Sequence, residues 1–251
     1  MKRIIINLAV IGAVAAIAIG ATTAFFSDTE TSTGNTFTAG AIDLKVDSEC
    51  TYNGVASDQC GTWEAKDLVG DSRDPNGGLV LGDRFFNFKD VKPGDYGENT
   101  ISLHVVNNDA WVCAEVSNLA NAENGCNEPE GLVDQTCDNP GVGQGELQNA
   151  LVMTVWKDDG VDGEGKCDNI QQEGERTLIS GYPINGILPI YDSTTQTGSL
   201  AAGDTTCLGV SWSLPAATGN EVQTDSLTGD ISFRVEQTRN NPDFSCVPVL
   251  D

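Results

Sequence analysis

The sequence holds one histidine, His104, in 251 residues. A single imidazole excludes H-E-x-x-H and the multi-histidine zinc sites, and any serine triad would have to be built on it. His104 itself, in "ISLHVVNND", reads as a structural or surface residue. Basic side chains are also scarce: 13 Lys and Arg face 37 Asp and Glu, for a net charge of −24. A field of that sign repels nucleic acid and anionic lipid, so nucleic-acid binding is excluded as a function. It suits solubility, above all in saline surroundings, or the binding of divalent cations. Neither G-x-G-x-x-G nor a P-loop is present. "GVGQG" (141–145) has glycines but no Lys and no apolar helix after it, so it reads as a loop. The nearest approach to a nucleophile elbow, "GVSWS" (209–213), ends in Ser rather than Gly and sits in a strand-like run. Beyond the N-terminal stretch no apolar residues recur at helical spacing, and no Pro- or Ser-rich linker divides the chain.

What is present begins with an export address. Lys2 and Arg3 precede an uninterrupted apolar run from Leu8 to Ala21, followed by Thr22, Thr23 and Ala24. Positive start, apolar middle and small-residue end are the parts of a secretory signal, with cleavage expected between Ala24 and Phe25. The apolar run is shorter than the roughly 20 residues of a spanning helix. Membrane contact is therefore expected only through the signal before cleavage, and an extracellular, cell-surface or matrix location after it. A class III pilin signal would be cut before the apolar run, where no Gly offers a site. The first 24 residues carry two basic side chains and no acidic one, so the exported chain is more acidic still. Cleavage at this point would leave Phe25 and Phe26 at a new N-terminus facing water.

Eight cysteines lie beyond the signal: Cys50, Cys60, Cys113, Cys126, Cys137, Cys167, Cys207 and Cys246. An even count, an export signal and no C-x-x-C favour up to four disulfides over a zinc site. Spacing leaves the connectivity open, with Cys50–Cys60 and Cys126–Cys137 as candidate short closures.

The local signals are β-like: "AIDLKVD" (41–47), "ISLHVV" (101–106), "WVCAEV" (111–116), "ALVMTVW" (150–156), "CLGVSWSL" (207–214) and "ISFRVEQT" (231–238). Each is rich in Val, Ile, Thr or aromatics and bounded by turn-forming residues. Ile231, Phe233 and Val235 alternate with Ser232, Arg234 and Glu236, as a half-buried antiparallel strand requires. The pattern predicts an all-β fold, a jelly-roll-like antiparallel β-sandwich, with long acidic, Gly-rich loops at 67–78, 120–146 and 157–175. The expected organisation is a signal over 1–24, an N-terminal extension over 25–40 and one sandwich over 41–251.

Two loops carry calcium-like patterns. In "WKDDGVDGEGKCDNIQQEGE" (156–175), Asp158, Asp159, Asp162, Glu164 and Asp168 are spaced by glycines that let oxygens fold around a hard cation. In "SRDPNGGLVLGD" (72–83), Ser72, Asp74, Asn76 and Asp83 follow part of the calcium-loop register, with Ser in place of the first Asp and Asp in place of the last Glu. A solvated acidic turn is the plainer reading of either. Paired carboxylates are too abundant in this chain to mark a glycosidase.

"TAFFSDTETSTGNTFTAGAIDL" (23–44) resembles the signal and start of proteins with SipW-type signal peptides, the TasA/camelysin family. There, an "FSDTE" segment follows the cleavage site and an "F-T-A-G-x-I/L-D-L" strand comes next. "VKPGDYGENTISLHVVNNDAW" (91–111) looks like the second block of that family, a turn leading into a core strand. "CLGVSWSLPAATGNEVQTDSLTGDISFRVEQTRNN" (207–241) is similar to the closing block of its larger members. The resemblance implies a jelly-roll sandwich and polymerisation into extracellular fibres by donor-strand exchange between copies of the chain. Phe25, Phe26 and Phe37 would then be the polymerisation residues, packed on a neighbour, while the Thr-rich segment between them supplies strand backbone. The contact would be head to tail and open-ended. Camelysin is a metallopeptidase by name, so the resemblance also carries an enzyme reading, but no catalytic residue transfers from it. The leading expectation is a non-enzymatic fibre or biofilm-matrix subunit. A monomeric calcium-dependent surface module and a secreted peptidase are the alternatives.

Overall fold

Alternating apolar and polar residues in β-branched runs give strands with one face to bury, and two such faces close on each other in this chain. The computed structural model describes residues 42–57, 59–75, 79–195 and 197–247. The strands are β1 (Leu44–Tyr52), β2 (Val55–Ala56), β3 (Trp63–Lys66), β4 (Ser72–Arg73), β5 (Leu79–Val80), β6 (Tyr96–Val105), β7 (Ala110–Glu123) and β8 (Gly141–Val142). After a single helical turn, α1 (Leu147–Ala150), come β9 (Val152–Lys157), β10 (Thr177–Gly181), β11 (Gly186–Tyr191), β12 (Thr205–Ser213) and β13 (Ser226–Gln237).

The larger sheet has the order β10-β9-β12-β6-β1-β2, with β3 also on β1; the smaller is β11-β7-β13, with β8 on β7; β4 and β5 form a separate hairpin. Every strand pair is antiparallel. Val46, Ile101, Leu103, Val105, Leu208 and Val210 from the first sheet meet Val112, Ala114 and Ile190 from the second in one buried cluster. Each Val, Leu and Ile side chain among them contributes roughly 1.5–3 kcal/mol by leaving water.

The all-β sandwich expected from the sequence is the fold observed, and all six expected strands are present. Ile231, Phe233 and Val235 of β13 do pack against the core while Ser232 and Arg234 are exposed. Two full strands, β10 and β11, fell outside the expected set. β11 carries Pro189, which reads as a strand breaker, but its other partner face is an edge where no donor is needed. The loop expected from residue 120 begins later, because β13 stays paired with β7 as far as Ala122, past a register shift between Thr228 and Asp230. In "GVSWS", Gly209 is the floor beneath the buried Trp156 ring: a Cβ there would fall 2.1 Å from it. His104 lies in β6, its Nε2 2.6 Å from Asp47 Oδ2 and its Nδ1 2.7 Å from Thr205 Oγ1, a polar link across β1, β6 and β12.

All eight cysteines are paired: Cys50–Cys60, Cys113–Cys246, Cys126–Cys137 and Cys167–Cys207. Cys113–Cys246 ties the C-terminal segment to β7, and Cys167–Cys207 ties the 158–175 loop to β12.

The turn at Lys92-Pro93-Gly94-Asp95 leads into β6 as its composition suggests, with Gly94 at φ +98. Asp95 fixes it by accepting from the Lys92 N–H at 2.7 Å, the Asn53 amide at 2.9 Å and the Tyr52 hydroxyl. Burial, then the hydrogen bond to the Asp95 carboxylate, pushes the Tyr52 phenol up to about 12 from 10.0. The folded state therefore holds this proton more tightly than the unfolded one. Its stabilising effect is complete below pH 10 and is lost as pH rises through 12. We expect urea unfolding to show a loss of stability between these limits that Tyr52→Phe removes, with the variant about 1–2 kcal/mol less stable at neutral pH. A pH dependence unchanged in the variant would refute the assignment.

Candidate functional site

Three of the five residues expected to hold calcium in the 156–175 loop, Asp158, Asp159 and Asp168, have partners within or beside that loop. Asp158 is fully buried, and both its oxygens accept backbone N–H groups, Cys167 at 3.0 Å and Asn169 at 2.7 Å. Burial pushes its carboxyl up, and those two hydrogen bonds oppose the shift. Asp159 pairs with Lys157 at 2.6 Å. Asp168 accepts from Ile170 N–H and the Gln172 amide, while Asp162 and Glu164 are exposed on a turn. In the 72–83 segment, Ser72 lies in β4 opposite Val80, and Asp74 is exposed. Asp83 accepts from Lys66 Nζ at 2.6 Å and Val69 N–H at 2.9 Å. Asn76 lies outside the described residues, as do Ala24, Phe25, Phe26 and Phe37. Neither loop contributes to the groups of three or more acidic or metal-ligating side chains whose ligand atoms converge among the described residues.

The carboxylates that do converge lie elsewhere. Oxygens of Glu123, Glu130 and Asp225 lie within 4.8 Å of one another, and so do those of Glu123, Asp134 and Glu146. Glu123 ends β7, Glu130 and Asp134 come from the loop closed by Cys126–Cys137, Glu146 precedes α1, and Asp225 precedes β13. Glu123, Glu130 and Asp134 are 2%, 0% and 9% exposed.

In four of the five, one oxygen is held by the protein. Glu123 Oε1 accepts from Gly125 N–H at 3.0 Å and Thr224 Oγ1 at 2.7 Å. Glu130 Oε2 accepts from Asn127 N–H at 3.3 Å, and Asp134 Oδ1 from Thr136 N–H and hydroxyl at 2.8 and 2.7 Å. Asp225 Oδ2 accepts from Glu146 and Leu147 N–H at 2.6 and 2.9 Å. The other oxygen of each, together with Glu146 Oε2, is buried with no hydrogen-bond partner. No Lys or Arg pairs with any of the five among the described residues. Burial, then repulsion by Asp134, Asp225, Glu123 and Glu130, pushes Glu146 up to about 7; burial likewise raises Glu130 and Asp225.

A third feature is an open sheet edge. β13 pairs with β7 over its whole length, and its outer edge has no partner among the described residues. The other outer strands are shorter: β10 and β11 have five and six residues, the latter interrupted by Pro189, and β3, β2 and β8 have four, two and two, whereas β13 runs for twelve. Short or proline-bearing edges resist added strands; β13 is long, with one irregularity between Thr228 and Asp230 and an unbroken run from Asp230 to Gln237 beyond it.

Because Asp158 acts as a cap for its own loop, Asp158→Ala should cost about 1–3 kcal/mol in urea unfolding. The loss should be the same in calcium and in chelator, with Asp162→Asn nearly neutral; a loss confined to calcium-containing buffer would support the ligand reading of this loop instead.

Residues 2–55 match the family model described as Camelysin metallo-endopeptidase, which spans the export-like segment, the extension and β1. No curated protein matches the chain. The match supports the TasA/camelysin resemblance seen in residues 23–44, and the carboxylate cluster and β13 lie wholly outside it.

Proposed function

We propose that the chain is an exported structural protein, a subunit that assembles head to tail by lending its N-terminal extension to the sheet of a neighbouring copy. The observation that carries this reading is the twelve-residue open edge of β13. Its inward residues Ile231, Phe233 and Val235 are only partly buried, although they pack on the core. A three-stranded path faces a longer sheet, and one more strand beside β13 would complete that cover. Residues 25–36 are also twelve in number and rich in Thr, enough to run beside β13 for roughly 40 Å. Main-chain hydrogen bonds would supply affinity, and apolar side chains such as Phe25 and Phe26 would fix register. Donor and acceptor are different surfaces, so the contact propagates into a filament. The family match, which covers the extension and the first strand, is consistent with that use of the N-terminus.

The description of the matching family favours a second reading, a metallo-endopeptidase. It requires casein cleavage that survives purification and disappears on chelation.

Electron microscopy of the chain beginning at Phe25 separates these readings. We expect filaments from that chain and none from one lacking residues 25–36, with the truncated chain remaining a folded monomer by circular dichroism. Filaments formed by the truncated chain, or none from the longer one at high concentration with disulfides intact, would refute the donor-strand reading.

A further inference from the structure

The five carboxylates between β7, the cystine loop, α1 and β13 have no charge partner among the described residues, and a bound cation would supply one. Unpaired carboxylates are normally left in water, because burying a charge alone is expensive. Here Glu123, Glu130 and Asp134 are at least nine-tenths buried, and each keeps one oxygen free of any hydrogen bond. The opposite oxygens of these three and of Asp225 are gripped by N–H and hydroxyl groups, the division of labour in metal sites, where outer hydrogen bonds aim the ligating atoms. Thr224 Oγ1 lies 2.7 Å from Glu123 Oε1, 2.7 Å from the Gly125 carbonyl and 3.4 Å from Glu130 Oε2. A single hydroxyl proton cannot serve all three acceptors at once, so the site remains rich in lone pairs. Gly145 packs closely against this group: a Cβ there would lie 2.7 Å from Asp225 Oδ1, one of the unpartnered oxygens, and 2.9 Å from the Ala122 carbonyl carbon.

We propose that Glu123, Glu130, Asp134, Glu146 and Asp225 form a calcium-binding site. Oxygens on opposite sides of a calcium ion, at 2.3–2.6 Å from it, are roughly 5 Å apart, and each converging triad falls within that span. Glu123 belongs to both triads and so bridges one ion's shell or two. The donors are all oxygen, which selects a hard cation and disfavours zinc; the sole histidine is engaged with Asp47 and Thr205 in another sheet. Magnesium demands octahedral geometry and retains water, whereas calcium accepts a crowded, irregular set of carboxylates. Of the five, Glu146 also lines a surface cleft of about 370 Å³ with Asn149, Thr218 and Glu221. The site is independent of whether the chain polymerises.

The test uses the exported chain with its disulfides intact, dialysed against EGTA and then freed of it. Calorimetric titration with CaCl2 should give one or two ions per chain, and calcium at a hundredfold excess over Kd should raise Tm by about 5–10 °C. Glu130→Gln and, separately, the less buried Glu146→Gln should weaken binding at least tenfold. A variant carrying Asp162→Asn, Glu164→Gln and Asp168→Asn in the other acidic loop should bind as the parent does. If Glu130→Gln fails to fold, Glu146→Gln and the loop variant still decide the matter. No binding heat together with an unchanged Tm would overturn the proposal, as would binding lost in the loop variant and kept in both cluster variants.

Discussion

The contact between the inner faces of β6 and β7 is the interaction on which the remaining structure depends. Leu103 and Val105 on one sheet and Val112 and Ala114 on the other are almost completely removed from water, and the two strands are joined by only a short connection. That connection moves the chain from one sheet to the other, so the sandwich closes at its centre and its later strands add on either side. β12 and β9 extend the first sheet from β6, and β13 and β11 flank β7 in the second. A core of this kind has no room for charge. The large acidic excess is consequently pushed into loops and strand ends, where cystines hold what apolar packing cannot.

The physical signals for the fold were strong because they are local. Alternation in 231–236 marks which side of β13 is buried, and β-branched runs mark β6, β7 and β12. β10 and β11 were missed for an equally local reason: five or six residues containing Gly181 or Pro189 look like connections until a neighbouring strand is in place. The turn at 92–95 was visible in its Pro-Gly pair, but the grip of Tyr52 on Asp95 spans 43 residues and has no signature in composition.

The acidity of the loops was legible in the sequence, but not which carboxylates converge. An acidic, Gly-rich stretch is an equally good description of the 156–175 loop and of the region around Glu130 and Asp134. What separates them is where the oxygens point. In the first, Asp158 and Asp168 accept from their own loop's backbone; in the second, each carboxylate leaves one oxygen over. Asp225 and Glu123 are 102 residues apart in the chain, and only the pairing of β13 with β7 brings their strand ends together. The one available hint was the spacing of Glu130 and Asp134 inside a loop closed by Cys126 and Cys137. A loop tied that tightly restricts where its acids can go.

The cluster and the open edge belong to the same strand pair, and this links two properties that are otherwise separate. Asp225 is the residue before β13, and Glu123 ends β7, its partner. Carboxylates crowded at that end repel one another when ionised, and a cation between them would offset that repulsion, which is far less screened in a buried setting than in water. An ion there would fix the start of β13 and with it the line of backbone groups that an incoming strand must match. Strand addition requires an ordered edge over many residues, because each main-chain bond contributes little by itself. Calcium bound at one end of β13 would therefore act on assembly through the geometry of the edge without touching the incoming strand.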